Sequence, residues 1–322
     1  MMLEIFIFTL VFFFSFFLLF WSSNLLIETI KKISKFLGWK EFVVSFFVVA
    51  FSTSIPNFVI DITSAINKIP ELALGDVIGS NIVDLTLIVG ISALISKAGL
   101  SLPSRTVQGS SIFTMFATIL PLILILDNDL SKADGILLIV IFGGYLFWLF
   151  QKKERFEKIY NGIKEPLTLS FFFKNLFSLL FSILILWLCA HGIVKSAIFF
   201  SKIFKLPLTF LGALIVGFGT TLPEFSFCLQ AAKKSQDWMI VGDVMGSVVF
   251  SATLILGLVS LISPIKILDF SQFLVARIFL FVSAILFFVF VRTGKKITKT
   301  EGAFLILLYL FFVISQLVFF RK

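Results

Sequence analysis

The sequence predicts an all-α integral membrane protein of about ten transmembrane helices, in two inverted five-helix repeats with Pro-broken helices at the centre. Hydrophobic residues make up 59% of the 322 and charged residues only 14%, with a mean hydropathy of +1.11, whereas soluble domains carry about 25% charged residues. Apolar runs of the ~20 residues that cross a bilayer recur along the chain. A shift of 167 residues also aligns the two halves without a gap from about Asn24 to Gly90.

The first half of the chain is expected to form five spans. Residues 1 to about 27 have no basic n-region and no Ala-x-Ala site, so we interpret them as a retained helix rather than a signal peptide. A basic amphipathic connector follows, with Lys31, Lys32, Lys35 and Lys40. The remaining spans are predicted at about 41–66, 72–95, 107–126 and 134–150.

The second half repeats this plan after a polar, basic linker at about 151–170. The linker is too short for a regulatory domain, so we place a boundary here between a first repeat, 1–160, and a second repeat, 161–322. The five spans of the second repeat are predicted at about 171–200, 207–231, 238–262, 270–292 and 301–320.

The distribution of Lys and Arg predicts the orientation. The net charge of +9 comes from residues between apolar spans, which fits topology determinants rather than a nucleic-acid surface. The loops richer in Lys and Arg alternate along the chain, so we expect them in the cytoplasm of a cell-membrane protein, with both termini outside. Because five spans are an odd number, the second repeat enters the membrane from the opposite side.

Two short stretches point to an ion site. Gly219 to Glu224 reads G-T-T-L-P-E within an apolar span, and a carboxylate at membrane depth is costly unless it has a function. Pro223 lacks a backbone donor and should free the carbonyl of Gly219. Ser52 to Asn57 reads S-T-S-I-P-N and lies 167 residues upstream, with Asn57 in the place of Glu224. Hydroxyl, carbonyl and carboxylate oxygens suit calcium and sodium ions, so the sequence predicts an ion site built twice.

A second motif lies on the helix that follows each of these stretches. Polar residues recur there at i, i+4 and i+8 and therefore share one helix face. They are Asp76, Ser80 and Asp84 in the first half, and Asp243, Ser247 and Ser251 in the second. Glycines beside them allow close helix packing, so four helices can surround one cavity lined by oxygen atoms.

These motifs resemble the two α-repeats of the cation/calcium antiporter superfamily, the sodium/calcium exchanger group, which read roughly G-T-S-L-P-E and then G-N-x-x-G-S-N-x-x-N/D. The corresponding α-repeats lie here at about 41–95 and 207–262. The resemblance implies antiport of calcium against sodium by alternating access, with no enzyme activity and no cofactor besides the transported ions. It implies central ligands at Asn57, Asp84, Glu224 and Ser251, and flanking sodium ligands at Thr53, Ser54, Ser80, Thr220, Thr221 and Ser247, with carbonyls near Ala50 and Gly217.

The sequence also departs from the family pattern. Asn57 replaces a glutamate and Ser251 replaces an amide or acid, while Asp76 and Asp243 replace asparagines. The two aspartates either cap the first turns of their helices or tune the site. Asp61 is either a displaced ligand or, with more support, an acid at the membrane interface.

Three other residues are expected to be structural. Cys189 and Cys228 lie within apolar spans and form neither a disulfide framework nor a metal pair, so packing is the favoured role. His191, the only histidine in the sequence, is a packing residue rather than a proton carrier.

Two alternatives to sodium/calcium exchange stay open at this stage. A carboxylate can take a proton as readily as a sodium ion, which permits proton/calcium exchange. Loss of the glutamate at Asn57 also permits a membrane scaffold without transport. The sequence has no G-x-x-x-x-G-K-[ST] motif to support an ATP-driven pump. The expected partners are therefore calcium, sodium or protons, and the lipid bilayer.

Overall fold

The chain folds into helices joined by short connections. A computed structural model describes residues 2–36, 51, 53–151, 169–267 and 271–319. The helices in these ranges are α1 (Met2–Phe36), α2 (Ile55–Ile66), α3 (Pro70–Ile95), α4 (Arg105–Leu124), α5 (Lys132–Phe150), α6 (Leu169–Phe204), α7 (Leu208–Thr220), α8 (Leu222–Lys233), α9 (Asp237–Ile262), α10 (Ser271–Arg292) and α11 (Lys299–Phe319).

The lengths of these helices confirm the all-α membrane class. Among the described residues, eight helices are long and apolar enough to cross a bilayer, and α7 with α8, bent by 43° at their junction, makes a ninth. Helix α2 has only 12 residues, and the stretch before it, 37–50, lies outside the described ranges, as does most of the predicted linker at 151–170. The count of ten and the boundary between 1–160 and 161–322 therefore stay predictions.

Helix α1 is longer than the sequence suggested. The apolar span within α1 is Met2–Leu26, close to the predicted 1–27, and the basic connector with Lys31 and Lys32 continues the same helix without a break to Phe36. No Gly or Pro interrupts residues 25–36, so nothing in the sequence terminates the helix there. Lys35 lies in this helical extension as well, while Lys40 is outside the described residues.

The first helices of the two halves, α1 and α6, run antiparallel along each other. Gly192 lies against Ser15, the Ser22 hydroxyl donates to the carbonyl of Ser182 at 2.9 Å, and the hydroxyls of Thr29 and Ser178 are 3.2 Å apart. Residue numbers thus rise along α1 as they fall along α6. This is the arrangement expected when equivalent helices of two repeats enter the membrane from opposite sides.

Two equivalent glycine contacts deeper in the fold also join the two repeats. A Cβ built on Gly90 in α3 would lie 2.6 Å from the carbonyl oxygen of Gly302 in α11. A Cβ on Gly257 in α9 would lie 2.8 Å from the carbonyl oxygen of Gly135 in α5. Each contact joins helices of opposite halves, and the equivalent positions are 167 residues apart.

Within the described ranges, four strands of two residues each also join the halves. Strands β1 (Leu100–Ser101) and β2 (Asp129–Leu130) belong to the first half, and β3 (Ile265–Lys266) and β4 (Lys296–Ile297) to the second. β1 pairs with β4 and β2 pairs with β3, both antiparallel. The sequence does not predict these strands, because two residues carry no detectable alternation of polar and apolar side chains.

The glycine contacts yield a stability prediction. Gly90→Ala should lower the free energy of unfolding by about 1–3 kcal/mol, because the added methyl group overlaps the backbone of α11. Gly143→Ala in α5 is the matched control, since no atom beyond the adjoining helix backbone lies within 4 Å of its built Cβ. Helix propensity should make that control about 0.5–1 kcal/mol more stable. Thermal unfolding of the purified variants measures both, and equal effects at the two positions would contradict the packing account.

Candidate ion-binding site

Proline breaks both site-forming helices in the same way. Pro56 and Pro223 lie in the first turn of α2 and α8, and the residues that precede these helices, Ser54 and Thr221, have nearly identical backbone angles. The prediction that Gly219 keeps a free carbonyl is wrong. The chain bends at Thr221, and the amide of Thr221 donates to that carbonyl.

Close helix packing brings the second motif to the same place. A Cβ on Gly79 in α3 would lie 2.0 Å from the carbonyl oxygen of Ala213 in α7, so these backbones touch as the glycine pattern predicted. Both motif helices also widen locally into π-helix, at Val83–Ile88 in α3 and Phe250–Ile255 in α9. Such segments concentrate at functional sites, and here they contain Asp84 and Ser251.

Two threonines link the repeats symmetrically. The hydroxyl of Thr53 donates to Asp243 Oδ1 at 3.1 Å, and the hydroxyl of Thr220 donates to Asp76 Oδ1 at 2.9 Å. Thr220 is equivalent to Thr53, and Asp243 to Asp76, in the 167-residue register. Each Pro-broken segment is therefore hydrogen-bonded to the motif helix of the opposite repeat.

The centre of the site is a chain of hydroxyls between two carboxylates. The Ser54 hydroxyl lies within hydrogen-bond distance of Glu224 Oε1, at 3.3 Å, and of Ser247 Oγ, at 3.0 Å. The Ser247 hydroxyl in turn donates to Asp84 Oδ2 at 3.1 Å. The outer oxygens of the two carboxylates, Glu224 Oε2 and Asp84 Oδ1, are buried and have no hydrogen-bond donor. These oxygens are available to a cation.

The structure brings most of the sequence-predicted residues together, but not all of them. Asn57 joins the centre, because its Nδ2 donates to Thr220 Oγ1 at 3.1 Å. Three predicted ligands direct their hydroxyls elsewhere: Ser80 donates to the carbonyl of Val77, Thr221 to those of Gly217 and Phe218, and Ser251 to Asn81 Oδ1 and the carbonyl of Val248. The Gly217 carbonyl accepts hydrogen bonds from the hydroxyls of both Thr220 and Thr221. Ala50 and Ser52 lie outside the described residues.

Two aspartates that the sequence left ambiguous belong to the site. Asp76 and Asp243 are six residues beyond the starts of their helices at Pro70 and Asp237, so they cannot cap a first turn. Both are buried and hold the threonine hydrogen bonds described above. The capping alternative is wrong for both.

The interface alternative for Asp61 is wrong, because Asp61 is fully buried against Asp76. Cys228 packs in the apolar core as predicted. Its thiol also donates to Asp243 Oδ2 at 3.6 Å, so Cys228 contacts the site as well. The 167-residue register indicates that Asp61 and Cys228 occupy equivalent places beside the site, because it aligns one with the other. His191 is partly exposed and contacts Trp187 in its own helix, as a packing residue would.

Acidic side chains dominate the site. Five carboxylates are at most 3% exposed: Asp61, Asp76, Asp84, Glu224 and Asp243. Within the described ranges, no Lys, Arg or His side chain is buried beside them. Nor do three acidic, His or Cys side chains there converge on one metal position. An ion would therefore be held by a pair of carboxylates together with hydroxyl or amide oxygens, which is a ligand set for hard cations.

Comparison with known proteins decides the family. The chain matches the sodium/calcium exchanger protein family over residues 7–151 and again over 174–318. It belongs to the sodium/calcium exchanger family. The two matched ranges are offset by the same 167 residues that relate the motifs, which confirms the predicted two-repeat architecture. Members of this family are integral membrane transporters.

Individual relatives cover most of this exchanger-family chain. It is 27% identical to the sodium/calcium exchanger MaX1 of Methanosarcina acetivorans over 91% of this chain and 93% of the relative. It is 21% identical to the inner membrane protein YrbG of Escherichia coli over 76% of each chain. A solved structure of the sodium-calcium exchanger NCX_Mj superimposes with a TM-score of 0.66 at 23% identity, covering 97% of this chain and 99% of NCX_Mj. That structure supports the fold.

Proposed function

We propose that this protein exchanges calcium for sodium across a membrane, at a site formed where its two repeats meet. The observation that carries the proposal is the group of five buried carboxylates, with no buried cationic side chain in the described ranges. An isolated buried charge is very costly, so buried carboxylates are paired with a cation or neutralised. Family membership and the name of the relative MaX1 support sodium and calcium as the cations.

In this proposal the central ligands are Asp84 and Glu224, with Ser54 and Ser247 between them. Their two negative charges match one calcium ion or two sodium ions, so both can occupy the same oxygens at different times. Thr53, Thr220 and Asn57 complete the polar shell, and Ser80, Thr221 and Ser251 lie beside it. Inverted repeats allow such a fixed site to face either side of the membrane in turn. This alternation makes the transport of one ion depend on the other.

Proton/calcium exchange is the rival proposal, because proton binding would neutralise the same carboxylates. Reconstituted protein distinguishes the two. We expect calcium uptake into proteoliposomes that have an outward sodium gradient, and little uptake when only a pH gradient is imposed. Uptake driven by the pH gradient alone would favour the rival, and no uptake under either gradient would favour a protein without transport.

The orientation is a separate prediction. We expect the 151–170 segment in the cytoplasm and both termini outside the cell membrane, because Lys and Arg are enriched in the alternate loops that include this segment. Cysteines introduced at Lys158 and at Lys322 can be tested in intact cells with a membrane-impermeant thiol reagent. The native Cys189 and Cys228 are buried and should give a low background. Labelling from outside at position 158 would overturn the orientation.

A further inference from the structure

Asp61 and Asp76 form a carboxylate pair beside the central site. Both residues are fully buried, and their side chains contact each other. Neither oxygen of Asp61 has a hydrogen-bond donor, and Oδ2 of Asp76 also lacks one. Two acceptor groups therefore face each other, and either a proton or a cation between them can balance their charge.

An amide oxygen adds to this pair. Asn57 lies one helical turn before Asp61 on the same face of α2. Its Nδ2 donates to Thr220, whose hydroxyl donates to Asp76, so Asn57 belongs to the same group of side chains. Its Oδ1 is buried and has no donor. Four oxygens of three residues, Asn57, Asp61 and Asp76, are thus unpartnered in one place.

The second repeat has no equivalent of this pair. Cys228 occupies the position of Asp61 in the 167-residue register. Its thiol is a donor and satisfies Asp243 Oδ2 at 3.6 Å, whereas Asp61 presents a second acceptor to Asp76. The first repeat therefore has one additional carboxylate, that of Asp61. It lies one helical turn after Asn57, which replaces the glutamate of the family pattern.

We propose that Asp61 and Asp76, with the amide oxygen of Asn57, form a second cation site that takes a divalent ion of the calcium class. Two adjacent carboxylates match the charge of a divalent ion, whereas a monovalent ion would leave one negative charge buried. Carboxylate and amide oxygens are ligands of calcium. The site deepens the proposed exchange function and rests on it, because ions must enter the same buried region.

Equilibrium dialysis with radioactive calcium tests this site. The full chain, purified in lipid nanodiscs and free of sodium, should bind about two calcium ions per chain. Asp61→Asn should reduce that number to about one, because an amide of the same shape removes one carboxylate from the pair and leaves Asp84 and Glu224 intact. Asp127→Asn, which makes the same change at an exposed position near the end of α4, should still bind about two.

The outcomes separate this site from the central one. If the parent protein binds only one calcium ion, the second site is contradicted. This holds whether a proton or a sodium ion occupies the pair of Asp61 and Asp76 instead. If Asp61→Asn binds as many calcium ions as the parent, the second site is equally contradicted. The one calcium ion that should remain bound to this variant shows that the variant is folded. Glu224→Gln should lose the central ion and retain the ion at Asp61. Loss of the Asp61 ion alone therefore supports the second site, whereas failure of sodium to drive calcium uptake would affect only the proposed exchange.

Discussion

Glu224→Gln should reduce calcium uptake to the background of empty liposomes. The substitution keeps the shape of the side chain and its hydrogen bond from Ser54, but it removes one of two central negative charges. At ~4 Å and an effective dielectric near 20, a unit charge pair is worth about 4 kcal/mol. Each 1.4 kcal/mol is a factor of about ten in binding, so calcium affinity should fall by roughly 100-fold or more.

Glu71→Gln is the matched control for that experiment. Glu71 lies in the first turn of α3, outside the site, and its loss should remove only a favourable interaction with the helix dipole, about 0.3–1 kcal/mol. Its uptake should equal that of the parent. Uptake by Glu224→Gln at the parental rate would show that Glu224 is not an ion ligand.

Asp84→Asn should lower the stabilisation by calcium while making the ion-free protein more stable. Asp84 is buried among other carboxylates, so the amide relieves an unfavourable charge and can still accept the hydrogen bond from Ser247. A ligand at 100 times its dissociation constant stabilises a folded protein by about 2.7 kcal/mol. The parent should gain this stability from the central ion, and the variant should lose this gain while keeping the contribution of an ion at Asp61.

Thermal unfolding with and without calcium measures this effect. Asp127→Asn is the control, because Asp127 is exposed at the end of α4 and outside the site. It should respond to calcium like the parent. An Asp84→Asn protein that is less stable without calcium, yet stabilised by it as much as the parent, would mean that Asp84 has a structural role.

The repeat architecture could be predicted because its signals are local and occur twice. Pro56 and Pro223 break their helices at equivalent positions, and the glycines of the second motif produce the predicted backbone contact with α7. Proline and glycine have the same local effect on the backbone in any packing arrangement. The register of 167 residues then aligned the rest of the two halves.

The partners of individual side chains could not be predicted in the same way. The sequence does not show that α3 begins at Pro70, six residues before Asp76, which is why a capping role stayed open. Nor does it show that the thiol of Cys228 reaches Asp243. Whether Ser80 and Ser251 direct their hydroxyls to an ion or to acceptors of the protein itself depends on rotamers, which only packing determines.

The negative charge of the site is also larger than the central motifs indicate. Asp84 and Glu224 alone suggest two charges, with Asn57 and Ser251 neutral. The structure adds Asp61, Asp76 and Asp243 in the same buried region. These three carboxylates can compensate for the glutamate that Asn57 replaces, so the loss of that residue does not argue for a protein without transport.

Competition between sodium and calcium on the purified protein tests the central claim most directly. The claim is that both ions use the same oxygens of Asp84 and Glu224, which requires that they exclude each other. Bound radioactive calcium should fall as sodium chloride is raised, and choline chloride at equal ionic strength should displace much less. Calcium binding that sodium and choline reduce equally would contradict a shared site, and with it the proposed exchange.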